Sequence, residues 1–133
     1  MEFHERSRHR LHRPHAHRAR LPRCALNNLK SPTLLGHAIT HAVTRSGVDA
    51  AEIQDVVIGS VLDAGTGGMN IARNAALASG LPYGVAGRTM DRHSASGLMA
   101  VATAAKQVMV VGMDVVVAGG RENISALQTP YMD

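Results

Sequence analysis

The sequence predicts an α/β domain in which helices cover both faces of a parallel β-sheet. Two short, continuous apolar runs, at residues 56–61 and 114–118, are typical of strands that are buried on both faces. Segments with helical apolar spacing or high alanine content alternate with these runs, which is the pattern of layered α/β domains. Since aromatic residues make up only 2% of the chain, its core must be built mainly from aliphatic side chains.

The first helix is predicted to begin at Ser31 and to end before Gly47. Ser31 is suited to the N-cap and Pro32 to the first helical position, because the amide hydrogen that proline lacks has no partner there. The apolar stripe of this helix consists of Leu35, Ile39, Ala42 and Val43. After the helix, Asp49 and Glu52 have the spacing of a capping box, which predicts a short helical turn.

The remaining elements alternate between strand and helix. Their predicted bounds, in chain order, are a strand at residues 56–61, a glycine-rich loop at 64–68, a helix at 70–79, a short strand at 88–90, a helix at 96–110 and a strand at 114–118. The second helix stops at G-L-P, since glycine and proline both end helices. The third helix is rich in alanine and ends before Gly112.

Length and composition exclude several classes of protein. A chain of 133 residues is sized for one domain. Its apolar runs are too short to span a bilayer, so no membrane association is expected. With one cysteine the chain cannot form an intramolecular disulfide, which fits a reducing compartment and predicts a cytoplasmic protein.

Positive charge is concentrated in residues 1–24, which carry seven arginines against two glutamates. This segment has neither a helical nor a strand-like apolar period, and its composition predicts a disordered basic tail. Residues 25–133 carry seven lysines and arginines against eight aspartates and glutamates, so the predicted folded domain is nearly neutral. A near-neutral domain has no electrostatic reason to bind nucleic acid.

Ser94 is the main candidate for a reactive residue, because the stretch D-R-H-S-A-S-G-L-M-A places it between a strand and a helix. A helix start stabilises an anion, which activates a cysteine more than a serine. A serine needs an adjacent base, and the only nearby candidate is His93, whose side chain is badly placed as an immediate neighbour. The hydrolase motif G-x-S-x-G is absent, so the residues alone favour a plain N-cap for Ser94.

Other features are weaker candidates for ligand sites. His37 and His41 lie four residues apart on the first helix, but A-I-T between them lacks the glutamate of a zinc protease and no third ligand is near. The A-G-T-G-G loop lacks the Lys-Ser/Thr ending of a phosphate loop, and Gly119-Gly120 after a buried strand fits either the close approach of another group or a tight turn. The tail histidines His12, His15 and His17 could bind a metal incidentally. We therefore expect no metal and no cofactor.

Five stretches of the chain have to be considered together. They are A-L-N-N-L-K-S-P-T-L-L-G-H-A-I, E-I-Q-D-V-V-I-G-S-V-L, N-I-A-R-N-A-A-L-A-S-G-L-P, D-R-H-S-A-S-G-L-M-A and D-V-V-V-A-G-G-R-E-N-I-S. Their order and spacing, from Ala25 to the end of the chain, resemble the thiolase family of acetyl-CoA C-acetyltransferases and 3-ketoacyl-CoA thiolases. The resemblance implies that residues 25–133 form part of a thiolase N-terminal domain with a layered α/β/α fold.

The resemblance also implies a reaction and a set of positions for it. Thiolases transfer acyl groups between acyl-CoA thioesters, by Claisen condensation or thiolysis in fatty acid metabolism, and work as homo-oligomers, dimers or tetramers. Ser94 falls on the cysteine that becomes acylated. Glu122 and Asn123 fall on the family's G-G-x-E-[SN] loop. Asn70 and Arg73 match its N-x-A-R segment, near the active site and the subunit contact. Coenzyme A thioesters would be substrates, and no cofactor is implied.

Three features depart from the family pattern. Serine replaces the nucleophilic cysteine at Ser94, and histidine replaces glutamine at His93. The chain stops at Asp133, before the second half that in the family carries the activating histidine, the second cysteine and most of the coenzyme A site. The family's first strand, expected to be a central one, is also missing. We therefore expect no measurable turnover, and unpaired strands near Val57 and Val116 that make the chain poorly soluble or dependent on a partner.

Two alternative functions remain compatible with the sequence. One is a non-catalytic interaction module that pairs with full-length thiolase subunits. The other is a basic-tail binder of nucleic acid or metal through residues 1–24, for which deletion of the tail should abolish salt-sensitive DNA binding. The tail has a different explanation, however, since it can be read as an out-of-frame translation of the missing thiolase start.

Permitted codons for residues 5–24 support this interpretation of the tail. A GC-rich choice, read one base later, translates to S-A-A-V-I-V-S-T-A-R-T-P-I-G-R-A-Y-R-G, followed by alanine. This resembles the first strand and loop of thiolases, and it joins in register to A-L-N-N at Ala25. Codon degeneracy mostly affects third bases, so recovering a long family motif by chance is improbable. We infer a frame error across residues 1–24, with a small insertion or deletion near Cys24.

The nucleotide sequence of the gene tests this inference directly. We expect a second reading frame over codons 5–24 to encode A-R-T-P-I-G, and resequencing to find the compensating change next to the codon for Cys24. If no frame of that DNA contains A-R-T-P-I-G, the tail is a genuine segment and the frame error is excluded.

Overall fold

The computed structural model describes residues 29–124. Its helices are α1 (Ser31–Ser46), α2 (Ile71–Ala78) and α3 (Ser96–Lys106), and its strands are β1 (Ile53–Gly59), β2 (Ala86–Met90) and β3 (Val115–Gly120). Short 3-10 turns cover Ala50–Glu52 and Gly65–Gly67, and a π-helical turn, Gln107–Val111, follows α3. All six predicted helices and strands are present. The basic tail of residues 1–24, with its histidines, lies outside the described residues.

β1 is the central strand of a three-stranded parallel sheet with the order β2-β1-β3. Its last residue, Gly59, pairs with Met90 of β2 on one side and with Gly120 of β3 on the other. The carboxyl ends of all three strands therefore meet at one edge of the sheet, which is where ligand sites of open α/β sheets form.

Helices cover both faces of this sheet. On one face Val56 and Ile58 of β1 form the larger core together with α1 and α2; the other buried members are Leu35, Ile39, Ile53, Ile71, Ala72, Ala75, Ala76, Leu81 and Val85. On the opposite face Val57 packs against Ala100 and Ala104 of α3. Each fully buried aliphatic side chain contributes about 1.5–3 kcal/mol. The predicted layered α/β/α arrangement of aliphatic side chains is confirmed.

The start of α1 differs from the prediction by one residue. Lys30, not Ser31, is the N-cap, and Ser31 is the first residue of the helix. The Ser31 side chain is fully buried, and its hydroxyl accepts hydrogen bonds from Arg121 and from Thr66. A tertiary contact with Arg121 has thus replaced the local cap, which the sequence pattern near Ser31 could not indicate.

The expected loss of strand pairing beside Val57 is wrong. Because β1 pairs directly with both neighbours, no gap exists next to it that a further central strand could fill. In the sheet that residues 29–124 form, only the outer edges of β2 and β3 lack a neighbouring strand. The unpaired backbone that was expected near Val116 is therefore found on the outer edge of β3, the strand that contains Val116.

α3 has one buried and one exposed apolar face. Ala100 and Ala104 lie on the sheet, whereas Leu98, Val101 and Met109 are exposed. By length and composition alone, the helical stretch His93–Val111 is also long and apolar enough to cross a membrane. Ala100 and Ala104 of this stretch pack against Val57, and 22% of the stretch is buried.

The start of α3 lies unusually close to the sheet because three glycines face each other there. A Cβ atom added to Gly59 would fall 2.5 Å from the amide nitrogen of Gly97 and closer still to the Ser96 carbonyl. A Cβ atom on Gly120 would fall 3.0 Å from the Gly97 Cα. Backbone therefore packs against backbone at the ends of β1 and β3, where no side chain fits.

This contact gives a stability prediction for Gly59→Ala. The added methyl group meets main-chain atoms that cannot rotate away, so we expect a loss of roughly 3 kcal/mol and a fall in Tm of about 12 °C or more. Thermal unfolding followed by circular dichroism measures it. Gly84→Ala is the matched control, because a Cβ atom there meets nothing within 4 Å. Equal melting temperatures for the two variants would contradict the contact.

Candidate functional site

A cavity of about 570 Å³ lies at the edge of the sheet where β1 and β3 end. It is lined by Gly59, Val61, Leu62, His93, Ser94, Ser96, Gly97, Gly120, Arg121, Glu122 and Ile124. The lining thus comes from three places in the sequence: the segment after β1, the turn before α3, and the segment after β3. The structure places Ser94, the main sequence-predicted site residue, in this cavity.

The turn between β2 and α3 holds residue 94 at the cavity in a strained conformation. The backbone of His93 has φ 48°, in the left-handed region that non-glycine residues seldom adopt. The His93 amide donates a hydrogen bond of 2.7 Å to the Asp91 carboxylate. The buried hydroxyl of Ser96 accepts from the Arg92 amide at 2.7 Å and donates to the His93 carbonyl at 2.6 Å. These side chains fix the turn, and strain of this kind is concentrated at functional sites.

Ser94 is not the N-cap of α3, so the interpretation that the residues alone favoured is wrong. The N-cap is Ala95, whose side chain forms no capping hydrogen bond. The turn places Ser94 one residue further from the helix, with an exposed side chain in the cavity lining. Within residues 29–124, the Ser94 hydroxyl forms no hydrogen bond to a base.

The first turn of α3 supplies a donor to the same cavity, since Gly97 is part of its lining. Since the helix begins at Ser96, the amides of Gly97 and Leu98 have no partner within the helix. Amides at a helix start stabilise negative charge, both by hydrogen bonding and through the helix dipole. A thiolate or a developing oxyanion beside residue 94 would be stabilised here, whereas a neutral serine hydroxyl gains little.

The opposite wall of the cavity is held by Glu122. Its carboxylate accepts hydrogen bonds from the amides of Val61 at 2.5 Å and Leu62 at 3.3 Å. The segment after β1 is thereby tied to the segment after β3, so that Val61, Leu62 and Ile124 present apolar side chains to the cavity. Glu122 uses its carboxylate to hold backbone amides.

Arg121, next to Glu122, is buried and contacts three separate segments of the chain. Its guanidinium donates to the hydroxyls of Ser60, at 3.0 Å, and of Ser31, and Nη1 lies 3.9 Å from the Asp63 carboxylate. Burial lowers the pKa of Arg121 from its ordinary value, while the negative charges of Glu122 and Asp63 act in the opposite direction.

Asn70 and Arg73, which match the family's N-x-A-R segment, tie α2 to its neighbours. Asn70 caps α2 by accepting from the Arg73 amide at 3.3 Å, and donates to the Gly87 carbonyl at 2.8 Å. The Arg73 guanidinium donates to the carbonyls of Tyr83 and Val85 and lies 5.0 Å from the centre of the Tyr83 ring. Neither residue lines the cavity, so the structure does not bring them together with Ser94.

The remaining candidates from the sequence lie elsewhere. The rings of His37 and His41 are 4.4 Å apart on the exposed side of α1. In the described part of the chain, no three His, Cys, Asp or Glu side chains are grouped as metal ligands. The A-G-T-G-G loop contains the 3-10 turn Gly65–Gly67, which packs beside Arg121. Asn123 follows Glu122, as the motif indicates, but does not line the cavity.

Sequence analysis did not identify the residues that hold the turn and the loop around Ser94 in place. Asp91 and Ser96 fix the turn around Ser94, and Arg121 holds the loop that Glu122 contacts. The sequence signal available for this turn was the presence of two polar residues, Asp91 and Ser96, on either side of His93 and Ser94. For Arg121 the signal would have been a charged residue directly after a buried strand and two glycines.

The chain can now be compared with known proteins. The family profile described as "Thiolase, N-terminal domain" matches residues 15–133. Acetyl-CoA acetyltransferase of Cupriavidus necator is 41% identical over 102 residues, which is 77% of this chain and 26% of that protein. Acetyl-CoA acetyltransferase of Pseudomonas aeruginosa is 37% identical over 108 residues, covering 81% and 27%.

A solved structure agrees with these sequence matches. The crystal structure of Bacillus anthracis acetyl-CoA acetyltransferase superimposes with a TM-score of 0.72 at 38% identity, covering 77% of this chain and 26% of that one. The chain spans about a quarter of the length of the curated relatives it matches. The profile match and the shared fold together show that the chain belongs to the thiolase N-terminal domain family.

Proposed function

We propose that the cavity at Ser94 is the acyl-accepting part of a thiolase-type acyltransferase site, in which acyl groups move between acyl-CoA thioesters by Claisen condensation or thiolysis. One observation carries this proposal. Residue 94 lies on a strained turn directly before the free amides of α3, inside a cavity at the carboxyl edge of the sheet. The relatives' names, acetyl-CoA acetyltransferase, give the class of substrate, acyl-CoA and coenzyme A.

Each part of the cavity has a task in this reaction. The amides of Gly97 and Leu98 would stabilise negative charge on the attacking atom or on the carbonyl oxygen of the thioester. Val61, Leu62 and Ile124 form an apolar wall suited to an acyl chain. Glu122 keeps that wall in place through the Val61 and Leu62 amides. The chemistry needs no metal or other cofactor, since the thioester itself is the activated group.

Serine at position 94 leaves this site without an effective nucleophile. A serine hydroxyl is weak at neutral pH unless a base removes its proton. Ser94 has no such base bonded to it in the part of the chain that the structure describes, although the neighbouring His93 also lines the cavity. We therefore propose that this chain by itself shows no measurable turnover. We further propose a cytoplasmic location, supported by the single cysteine.

The Ser94→Cys substitution tests the proposed site, and we make it in a Cys24→Ser background so that only one thiol is present. The free amides of α3 should lower the pKa of the new thiol and stabilise its thiolate. The thiolate attacks the thioester carbonyl of acetyl-CoA, the bond to the coenzyme A sulfur breaks, and coenzyme A leaves and takes up a proton. We expect intact-mass analysis to show one added acetyl group, formed roughly threefold or more faster than on a control thiol.

The control thiol is introduced by Ala102→Cys in the same background. Ala102 is exposed on α3, but it lies in the middle of the helix, away from the free amides. Equal acetylation rates for the two thiols would contradict the proposed site. The Cys24→Ser chain without a new thiol should gain no acetyl group, and a stable acetyl adduct on Ser94 would refute the proposed lack of turnover.

The exposed face of α3 supports a second candidate function, pairing with full-length thiolase subunits. Leu98 of α3 is 77% exposed and Met109 of the π-helical turn that follows it is 82% exposed, with Val101 and Val108 between them in the chain. Helix α3 carries no charged residue before Lys106. An apolar helix face of this kind commonly marks a protein contact. Because relatives are about four times as long, a full-length subunit is the partner that we propose, with homo-oligomers of the family as the precedent.

This pairing can be tested by co-purification of the full chain with the Cupriavidus necator acetyl-CoA acetyltransferase. Val101→Glu places a charge in the exposed apolar face, so we expect it to abolish capture of the tagged chain by the full-length enzyme. Thr44→Glu on the exposed side of α1 is the matched control and should leave capture unchanged. No capture of the unsubstituted chain, or equal capture of Val101→Glu, would exclude pairing through this face.

A further inference from the structure

Arg121 is a buried cation in the lining of the cavity, and its guanidinium is bonded to the hydroxyls of Ser31 and Ser60. Its side chain is only 3% exposed, and the nearest carboxylate, that of Asp63, is 3.9 Å away and one-third exposed. Burying a charge with so distant a partner is costly, and an apolar side chain of similar volume is often as stable at such a position. An arginine at this buried position therefore points to a role in placing other groups.

The loop of residues 61–68 is built around this guanidinium. A Cβ atom on Gly67 would fall 2.7 Å from Nη1 of Arg121, so a side chain at residue 67 would displace the guanidinium. Thr66 of the same loop donates to the Ser31 hydroxyl, which Arg121 also contacts. The far part of the loop is thus fixed to the start of α1 by Thr66, at the same Ser31 hydroxyl to which Arg121 donates.

The near part of the loop is fixed by the next residue in the chain. Successive side chains of an extended segment point to opposite sides, so Arg121 and Glu122 reach the loop from different directions. Glu122 accepts from the amides of Val61 and Leu62. The Arg121 amide in turn donates to the Gly59 carbonyl at 3.0 Å, which fixes the pair to the end of β1.

We propose that Arg121 is a positioning residue, which holds the 61–68 loop so that Glu122 stays bound to the Val61 and Leu62 amides and the apolar wall faces residue 94. When the guanidinium is removed, the loop loosens and the Glu122 carboxylate is released towards the cavity. A free carboxylate in the cavity disfavours an anion at residue 94. This proposal rests on the proposed function in one respect only, namely that residue 94 is the position of the reacting group.

Two measurements on the full chain test the role of Arg121. The first is hydrogen exchange of the Val61 and Leu62 amides, with Val57 in the centre of β1 as the internal reference. Loss of a hydrogen bond from a charged group should speed exchange at the loop amides roughly tenfold in Arg121→Met and leave Val57 unchanged. Arg121→Lys, which keeps the charge but not the two-pronged geometry, should give an intermediate rate.

The second measurement is the pH profile of iodoacetamide alkylation of the thiol introduced by Ser94→Cys, in the Cys24→Ser background. Arg121→Met should move the midpoint of that profile to higher pH, because a cation is lost and a carboxylate is released near the thiolate. Arg45→Met, which removes an exposed arginine on α1, should leave both the exchange rates and the midpoint unchanged.

The results separate the positioning role from its alternatives. Unchanged exchange at Val61 and Leu62 in Arg121→Met would overturn the proposal, as would an unchanged alkylation midpoint. Equally fast exchange at Val57, or an unfolded variant, would mean that Arg121 supports the fold as a whole, and the positioning role would then be rejected. Neither readout requires acyl transfer, so failure of the proposed function would show separately, as missing acetylation of the Ser94→Cys thiol.

Discussion

The site depends on the direct packing of the α3 backbone on the ends of β1 and β3. Gly59, Gly97 and Gly120 leave no side chain between helix and sheet, so the first turn of α3 lies over the carboxyl edge of the strands. This closeness places the free amides of the helix in the same cavity as residue 94 and the segment after β3. A methyl group at Gly59 would move the helix start and so disturb the cavity as well as the fold.

Around this contact, polar side chains hold backbone segments in place through hydrogen bonds. Ser96 and Asp91 hold the left-handed turn at His93, and Glu122 holds two amides after β1. Arg121 does the same for the 61–68 loop at the cost of a buried charge, which is weak support for stability but fixes geometry well. These hydrogen bonds hold the backbone around the cavity in place, and the residue that this backbone exposes to the cavity is Ser94.

The exposed apolar side chains of α3 indicate that this face of the domain is not adapted to full exposure to water. Leu98 of α3 and Met109 of the π-helical turn after it are more than three-quarters exposed. The opposite face of α3 packs against the sheet. The chain spans about a quarter of its relatives. An exposed apolar face and a serine without a bonded base in the described residues are the observations on which the two proposed functions rest.

The sequence by itself determined the layered α/β fold, the order of its elements and the position of residue 94, because apolar periodicity and motif spacing are local properties of the chain. It failed where a distant partner decided the outcome. Ser31 is buried under Arg121 instead of capping α1, Ser94 lies outside the cap of α3, and β1 has neighbours on both sides. Only the tertiary structure brings Arg121 and Glu122 onto the 61–68 loop, because that contact joins segments about 60 residues apart.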